Sequence, residues 1–332
     1  MLATNFRFSA DHVLYGKLRP YLNKVALPGF DGVCTTEILP ILPMDDMLDR
    51  TYLWAVLLSS DFVNWASASV AGANLPRLSP SLLAEYEIPL PPLPEQQRIA
   101  GILSRADRLR RLRRYALEMS EGYLQSMFLE MFGEAIAGAG ATPLVPLSSV
   151  CTKITDGTHV TPRYLDHGVP FLSVKNLTKT PGSIDFADVK YISREEHERI
   201  SRLSNVERGD ILYTKVGTYG VPQLVDTDTE FSIFVSVSLL KPDRRVIVPK
   251  FLEASLRTSF VKEQADRLVS GIGVPDLHLR EIRTILVPLP PRDEQDEFVQ
   301  LAHRFERLRS QQREALRQAE HLFQTLLHGA FA

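Results

Sequence analysis

Seven consecutive residues, Thr155-Asp156-Gly157-Thr158-His159-Val160-Thr161, put three hydroxyls, a carboxylate and an imidazole on a segment that Asp-Gly marks as a turn. Such a loop carries donors and acceptors suited to the edges of nucleic-acid bases. Lys153, Arg163 and Lys175 flank it and are placed to take phosphates. Asn176 reads equally as a bidentate partner for adenine or as a turn cap. Lys215, Thr218, Tyr219 and Gln223 lie on a second turn, where Gly217 and Gly220 permit close backbone approach. Lys17, Arg19, Tyr21, Asn74 and Arg77 hold comparable places nearer the N-terminus. Each side chain alone also fits a solvated surface; the group carries the reading. Asp156 and His159 could form a metal or acid/base pair, but with no third partner in view a turn with a hydrogen-bonded histidine is preferred. Pro275-Asp276 with Glu281 and Arg283 has the outline of a nuclease carboxylate cluster without its lysine.

The sequence holds no G-x-x-x-x-G-K-[ST] phosphate loop and no G-x-G-x-x-G after a strand. An Asn/Asp-Pro-Pro-aromatic box for amino-methyl transfer is also missing, so no catalytic set is expected. Cys34 and Cys151 sit in no CxxC or Cys/His pattern; they exclude a disulfide framework, make a zinc site unexpected and suit a reducing cytoplasm. Hydrophobic content of 44% and charged content of 23% are those of a soluble globular protein. No apolar run is long enough for a membrane span, and the N-terminus lacks the apolar stretch of a signal peptide. The net charge of −2 counts against a simple basic nucleic-acid binder. A local stripe would answer that objection, and Arg105, Arg108, Arg110, Arg111, Arg113 and Arg114 supply one. Those arginines also suit pairing with acids of a facing helix, the reading preferred for Arg113.

The elements that must hold these residues repeat. Ile88-Pro89-Leu90-Pro91-Pro92-Leu93-Pro94-Glu95-Gln96 returns as Val287-Pro288-Leu289-Pro290-Pro291-Arg292-Asp293-Glu294-Gln295, an offset of 199 residues, far beyond solenoid periods. Each copy opens a long periodic segment, predicting helices over 95–132, stopped by Gly133, and over 293–328. Ile99, Ile102, Ala106, Leu109, Arg113, Ala116, Ser120, Tyr123 and Met127 step by three and four along the first. Phe298, Leu301, Phe305, Leu308, Gln312, Ala315, Ala319, Leu322 and Leu326 do so along the second, at the same offset. Both seams place a polar residue, Arg113 or Gln312, at the same layer. The helices should pack antiparallel as a coiled coil, each roughly 55 Å long, between one and two turns of B-DNA at about 34–36 Å per turn. Short strands are read at 6–8, 13–15, 32–40, 170–174, 210–215 and 231–238, with helices at 49–66 and 249–267 and a linker at 133–146. The fold class is α+β. Two globular units, 1–92 and 145–291, are separated by helical segments 93–144 and 292–332 in a pseudo-two-fold repeat. Residues 145–205 have no counterpart in the first unit, which is therefore expected to be partial.

The doubled Pro-Leu-Pro-Pro-x-x-Glu-Gln box before an Arg-rich helix resembles the specificity subunits of type I restriction–modification systems. So do Thr155–Pro162 and the turn at Lys215–Gly220. The resemblance implies two target-recognition domains, each reading half of a split DNA site, and spacer helices that dock methyltransferase subunits, with a restriction translocase joining them. It implies a non-catalytic cytoplasmic chain that binds no cofactor, with S-adenosylmethionine, ATP and Mg on partner subunits. A partial first domain allows self-association or completion by another specificity fragment. The rival reading is a coiled-coil scaffold or an inactive recombination-cassette fragment that does not read DNA.

Overall fold

The computed structural model describes residues 5–44, 46–70, 75–120, 122–179, 182–271 and 273–331. The chain is α+β and divides into two compact units, Met1–Met119 with Arg309–Ala332, and Ser120–Leu308.

In unit 1, β1 (Asn5–Phe8) pairs antiparallel with β4 (Gly32–Thr35), and β2 (Val13–Gly16) lies between β3 (Val25–Ala26) and β5 (Ile38–Ile41). Helices α1 (Arg50–Leu58), α2 (Ser60–Ala68), α3 (Pro80–Leu83) and α4 (Leu93–Met119) follow. Val13 and Tyr15 of β2, Trp54 and Leu57 of α1, Phe62 of α2 and Leu103 of α4 form the core with Phe323 and Leu327. The helix predicted over 49–66 is two helices. Ser59 donates its hydroxyl to the Val56 carbonyl at 2.7 Å and accepts from the Phe62 amide, ending one helix and capping the next.

Unit 2 contains α5 (Tyr123–Ile136), β6 (Leu144–Pro146), α6 (Leu147–Val150), β7 (Cys151–Asp156), β8 (Val169–Leu172), α7 (Val174–Thr178), β9 (Lys190–Ile192) and α8 (Arg194–Ser204). It continues through β10 (Ile211–Thr214), β11 (Pro222–Leu224), β12 (Ser232–Ile233), β13 (Val237–Pro242), α9 (Pro249–Leu256), α10 (Ser259–Leu268), α11 (Leu279–Ile282), β14 (Leu286–Pro288) and the start of α12 (Arg292–Phe331). The main sheet has the order β11-β10-β13-β7, with smaller sheets β12-β8-β9 and β14-β6. Phe128 and Phe132 of α5 pack edge-on against Phe298 of α12, with Phe251 of α9 beside them. The helix read over 249–267 also breaks in two. Thr258 donates to the Ser255 carbonyl at 2.7 Å and caps α10, repeating Ser59 one offset later.

The offset also returns in the hydrogen bonds. Gln96, 1% exposed, accepts from the Asp49 amide and donates to the carbonyls of Met47 and Pro91 at 2.9, 3.0 and 2.8 Å. Gln295, 1% exposed, accepts from the Val248 amide and donates to the carbonyls of Val246 and Pro290 at 2.9, 3.3 and 2.9 Å. Every partner is shifted by the same 199 residues. The glutamine of each box therefore ties the start of a long helix to the proline run before it and to the N-cap residue of α1 or α9.

Three expectations change. The first long helix ends at Met119, and α5 begins after Gly122, whose φ of 79° is left-handed; Gly133 lies inside α5 and stops nothing. The linker read over 133–146 is helical to Ile136 and ends in β6. The seam is displaced at alternate layers. Ile99, Ala106, Phe298, Phe305, Gln312 and Ala319 face inward as expected, but Leu109, Leu301 and Leu308 are 40%, 38% and 50% exposed. Their neighbours turn in instead: Leu103 and Arg110 on α4, Ala302 and Phe323 on α12. Ile102 is half-buried beside Leu103. Phe305 stacks on Tyr123 with ring centroids 4.7 Å apart.

Candidate nucleic-acid interface

The C-terminal end of β10 is a hub. Strand β10 lies between β11 and β13, so its exit residue, Lys215, emerges among the loops of unit 2. The Lys215 amide donates to the Ser236 carbonyl at 3.0 Å, and its carbonyl accepts from the Leu277 amide at 2.9 Å. The Gly217 amide donates to the Pro275 carbonyl at 2.9 Å. The Lys215 side chain is only 6% exposed, and its ammonium lies 3.3 Å from Asp156 Oδ2 and 3.6 Å from Asp276 Oδ1. A cation this deep needs such partners, because desolvation otherwise favours the neutral amine. Each aspartate holds a histidine as well: His159 Nε2 is 3.3 Å from Asp156, and His278 Nδ1 is 3.4 Å from Asp276. His159 is 70% exposed and His278 46%.

Local rules position this cluster. A Cβ on Gly157 would stand 2.0 Å from the Ile233 carbonyl oxygen, so the residue after Asp156 must be glycine. The Thr158 hydroxyl accepts from the Val160 amide at 3.2 Å, closing the turn under His159. Gly217 and Gly220 take left-handed φ values of 74° and 84° and present Thr218 to solvent. Between them, the Tyr219 hydroxyl donates to Asp266 at 2.7 Å, with Lys262 over its ring.

The structure thus gathers Asp156, Thr158, His159, Lys215 and Thr218 at one end of the main sheet, with Thr155 in β7 at its edge and Arg163 exposed on the following loop. It ties others into bonds with the protein itself. Asn176, 2% exposed, accepts from the Ser173 amide at 3.0 Å and donates to the carbonyls of Asp185 and Asp188; it is the turn cap, and both ends of its amide are used. Gln223, 1% exposed, donates to the Leu177 carbonyl and accepts from Arg257. Lys215 itself is buried in its ion pairs rather than free for a phosphate. Lys153 donates to the Leu203 carbonyl at 2.6 Å, and Lys175 pairs with Asp188 at 3.4 Å.

In unit 1 the counterpart of the hub keeps its backbone and changes its charges. The Lys17 amide donates to the Glu37 carbonyl and the Lys17 carbonyl accepts from the Leu78 amide, both at 3.0 Å. Arg77 stands where unit 2 has Asp276 and pairs with Glu37 at 3.1 Å. Arg19 is exposed with φ 53°, Tyr21 is 55% exposed, and Asn74 lies outside the described residues. On α4, Arg110 and Arg111 pair with Asp107, Arg114 with Glu320, and Arg113 donates to Gln312 Oε1 at 3.4 Å.

Sequence reading missed Asp276 and His278 as members of this site. It weighed Asp276 for a nuclease cluster and found no lysine, because the lysine arrives from β10. That lysine offsets only part of the charge of the two aspartates it joins, and among the described residues no group of three or more His, Cys, Asp or Glu could hold a metal ion. No described helix is long and apolar enough to cross a membrane.

Residues 8–118 match the type I restriction modification DNA specificity domain. Similar proteins include the type I restriction enzyme EcoDI specificity subunit of Escherichia coli, 33% identical over 39% of this chain and 30% of that protein. The EcoBI specificity subunit of the same species is 25% identical over 90% of this chain and 67% of that protein. The chain thus spans less than a third of the first relative's length and about two thirds of the second's. In fold it is similar to a chain from a structure of complex assembly and conformational transition in the type I R-M system, at TM-score 0.63 and 22% identity over all of this chain and 84% of that one. It is likewise similar to the S subunit of a type I restriction-modification system from M. genitalium, at TM-score 0.59 and 16% identity over 99% of this chain and 84% of that one.

Proposed function

We propose, from the premise that this chain belongs to the type I restriction–modification specificity family, that it is the non-catalytic subunit that reads a split DNA target. Recognition domains at 1–92 and 145–291 read the two half-sites, and helical segments 93–144 and 292–332 set their spacing. The observation that carries this reading is the frame built twice. The same three glutamine hydrogen bonds recur at a single offset, and the backbone pairing around Lys17 recurs around Lys215. A two-part target suits a molecule with two such frames. The pair Arg113 and Gln312 supports a pseudo-two-fold relation, since each is the other's counterpart and they touch.

Unit 1 is the smaller version. Its β5 pairs, among the described residues, only with β2, whereas the equivalent β13 pairs with both β10 and β7. Because Glu37 turns its carbonyl to Lys17, alternation turns the Pro40 nitrogen to the other edge, where a missing N–H discourages pairing.

The partners are double-stranded DNA, methyltransferase subunits and a restriction translocase, in the cytoplasm. S-adenosylmethionine, ATP and Mg belong on those subunits and none on this chain. The test is selection from a random duplex library with the methyltransferase subunit present, followed by binding across a salt series. A sequence preference with a linear fall of log affinity against log salt is expected. Binding with no preference would overturn the reading in favour of a scaffold.

A further inference from the structure

We propose that Lys215 is a positioning residue and that His159 and His278 are a paired base-reading contact whose placement it sets; this rests on the DNA-reading function proposed above. Three observations converge. First, the Lys215 charge is already used. With 6% exposure and two carboxylates within 3.6 Å, the ammonium has no open approach for a phosphate, and Lys215, Asp156 and Asp276 together carry a net negative charge. A cluster of that sign repels the DNA backbone.

Second, each aspartate lies within 3.4 Å of one ring nitrogen of an exposed histidine, and among the described residues the other nitrogen, Nδ1 of His159 or Nε2 of His278, has no protein partner. A carboxylate set beside one imidazole nitrogen favours the tautomer protonated on that side, which leaves the opposite nitrogen an acceptor. Two oriented acceptors on neighbouring loops suit the exocyclic amines of adenine and cytosine in the major groove. Lys215 bridges those loops, because Asp156 precedes His159 and Asp276 precedes His278.

Third, the fold does not require this cluster. Unit 1 makes the same backbone bonds around Lys17 with Arg77 in the place of Asp276. The acid at 276 is a property of the loops of unit 2 rather than of the frame that carries them.

The experiment is fluorescence anisotropy of the full chain with its methyltransferase subunit, on the library-selected duplex and on a scrambled one, each across a KCl series. Lys215→Met is expected to cut the selected-to-scrambled affinity ratio by about tenfold while leaving the salt slope unchanged. His278→Gln should lower affinity for the selected duplex about fivefold and spare the scrambled one. Adding His159→Gln to Lys215→Met should cost little more than Lys215→Met alone. A salt slope reduced by about one unit with the ratio intact would make Lys215 a direct phosphate contact and overturn the assignment. Should Lys215→Met fail to fold, His278→Gln decides alone, and wild-type selectivity in that variant sinks the idea. Absence of any preference in the wild-type complex would instead remove the DNA-reading function itself.

Discussion

At the scale of single residues, the glutamines that close the two boxes explain why the repeat is so legible. Gln96 and Gln295 each satisfy one backbone amide and two carbonyls while buried, so truncating either leaves those groups dry and unpaired. We expect Gln96→Ala to cost about 2–3 kcal/mol. Both tryptophans, Trp54 and Trp65, lie in unit 1, so tryptophan-monitored denaturation reports that unit alone. Gln295→Ala should leave that transition unmoved and instead speed amide exchange in α9. Wild-type behaviour in both variants would refute the clamp. Asn176 and Gln223 show the opposite side of legibility. A buried amide that satisfies its own backbone and one that reads a base are the same letter in the sequence, and only burial separates them. His197 yields a pH prediction. It is 6% exposed, with Nδ1 2.9 Å from Ser232 Oγ, and burial lowers its pKa, Glu230 pulling the other way and Arg194 adding to the drop. The unfolded chain therefore binds the proton more readily, so stability is full above the ordinary histidine value near 6.5 and declines as pH falls below it. The denaturation midpoint of unit 2 should drop between pH 7 and 5.5, and His197→Gln should flatten that slope. An unchanged slope in the variant would assign the pH dependence to other groups.

At the scale of elements, the heptad reading had the right period and, at alternate layers, the wrong face. Positions seven apart, such as Phe298, Phe305, Gln312 and Ala319, satisfy both a 3,4 and a 4,3 seam, so they cannot choose between them. Leucines at 301, 308 and 322 weighted the choice toward 3,4. The buried pattern is 4,3 because Phe323 is needed by the core of unit 1 and Ala302 by that of unit 2. Phe323, 1% exposed, packs on Trp54 with ring centroids 6.0 Å apart and lies under the Arg110 guanidinium. Phe323→Ala should destabilise unit 1 by about 3–5 kcal/mol. Leu322→Ala, at a position 45% exposed, should cost less than about 0.5 kcal/mol. The two denaturation midpoints, followed by tryptophan emission, discriminate sharply, since the 3,4 seam requires the reverse order. The helix breaks at Ser59 and Thr258 were readable in principle, because a Ser or Thr followed by a fresh apolar period is a cap signal. Continuous hydrophobic periodicity across each break concealed it.

At the scale of the whole molecule, an offset seen first in a proline box proved to extend through capping residues and buried amides. That recurrence was legible in the sequence, while the membership of each unit was not. Cutting the sequence at its linkers assigns the last helix to the second half, yet residues from Arg309 onward belong to the first compact unit. The reason is sequence distance. Nothing in α4 announces that Leu103 and Ala106 will be covered by side chains more than two hundred residues away, because an amphipathic face specifies what it buries but not where the cover comes from. The core of unit 1 takes Phe323 at 1% exposure and Leu327 at 4% from that distant segment, with Phe331 beside Tyr52 at a centroid distance of 5.5 Å. Burying each such side chain contributes about 1.5–3 kcal/mol, against a total stability of about 5–15 kcal/mol for a domain. A chain ending at Leu308 should therefore lose the structure of unit 1 while unit 2, whose own part of α12 carries Phe298 and Ala302, persists. Tryptophan emission of the shortened protein should shift to the wavelength of the denatured chain, with amides of β10 and β13 still protected from exchange. Native emission from the shortened protein would mean that unit 1 closes its core without the C-terminal segment.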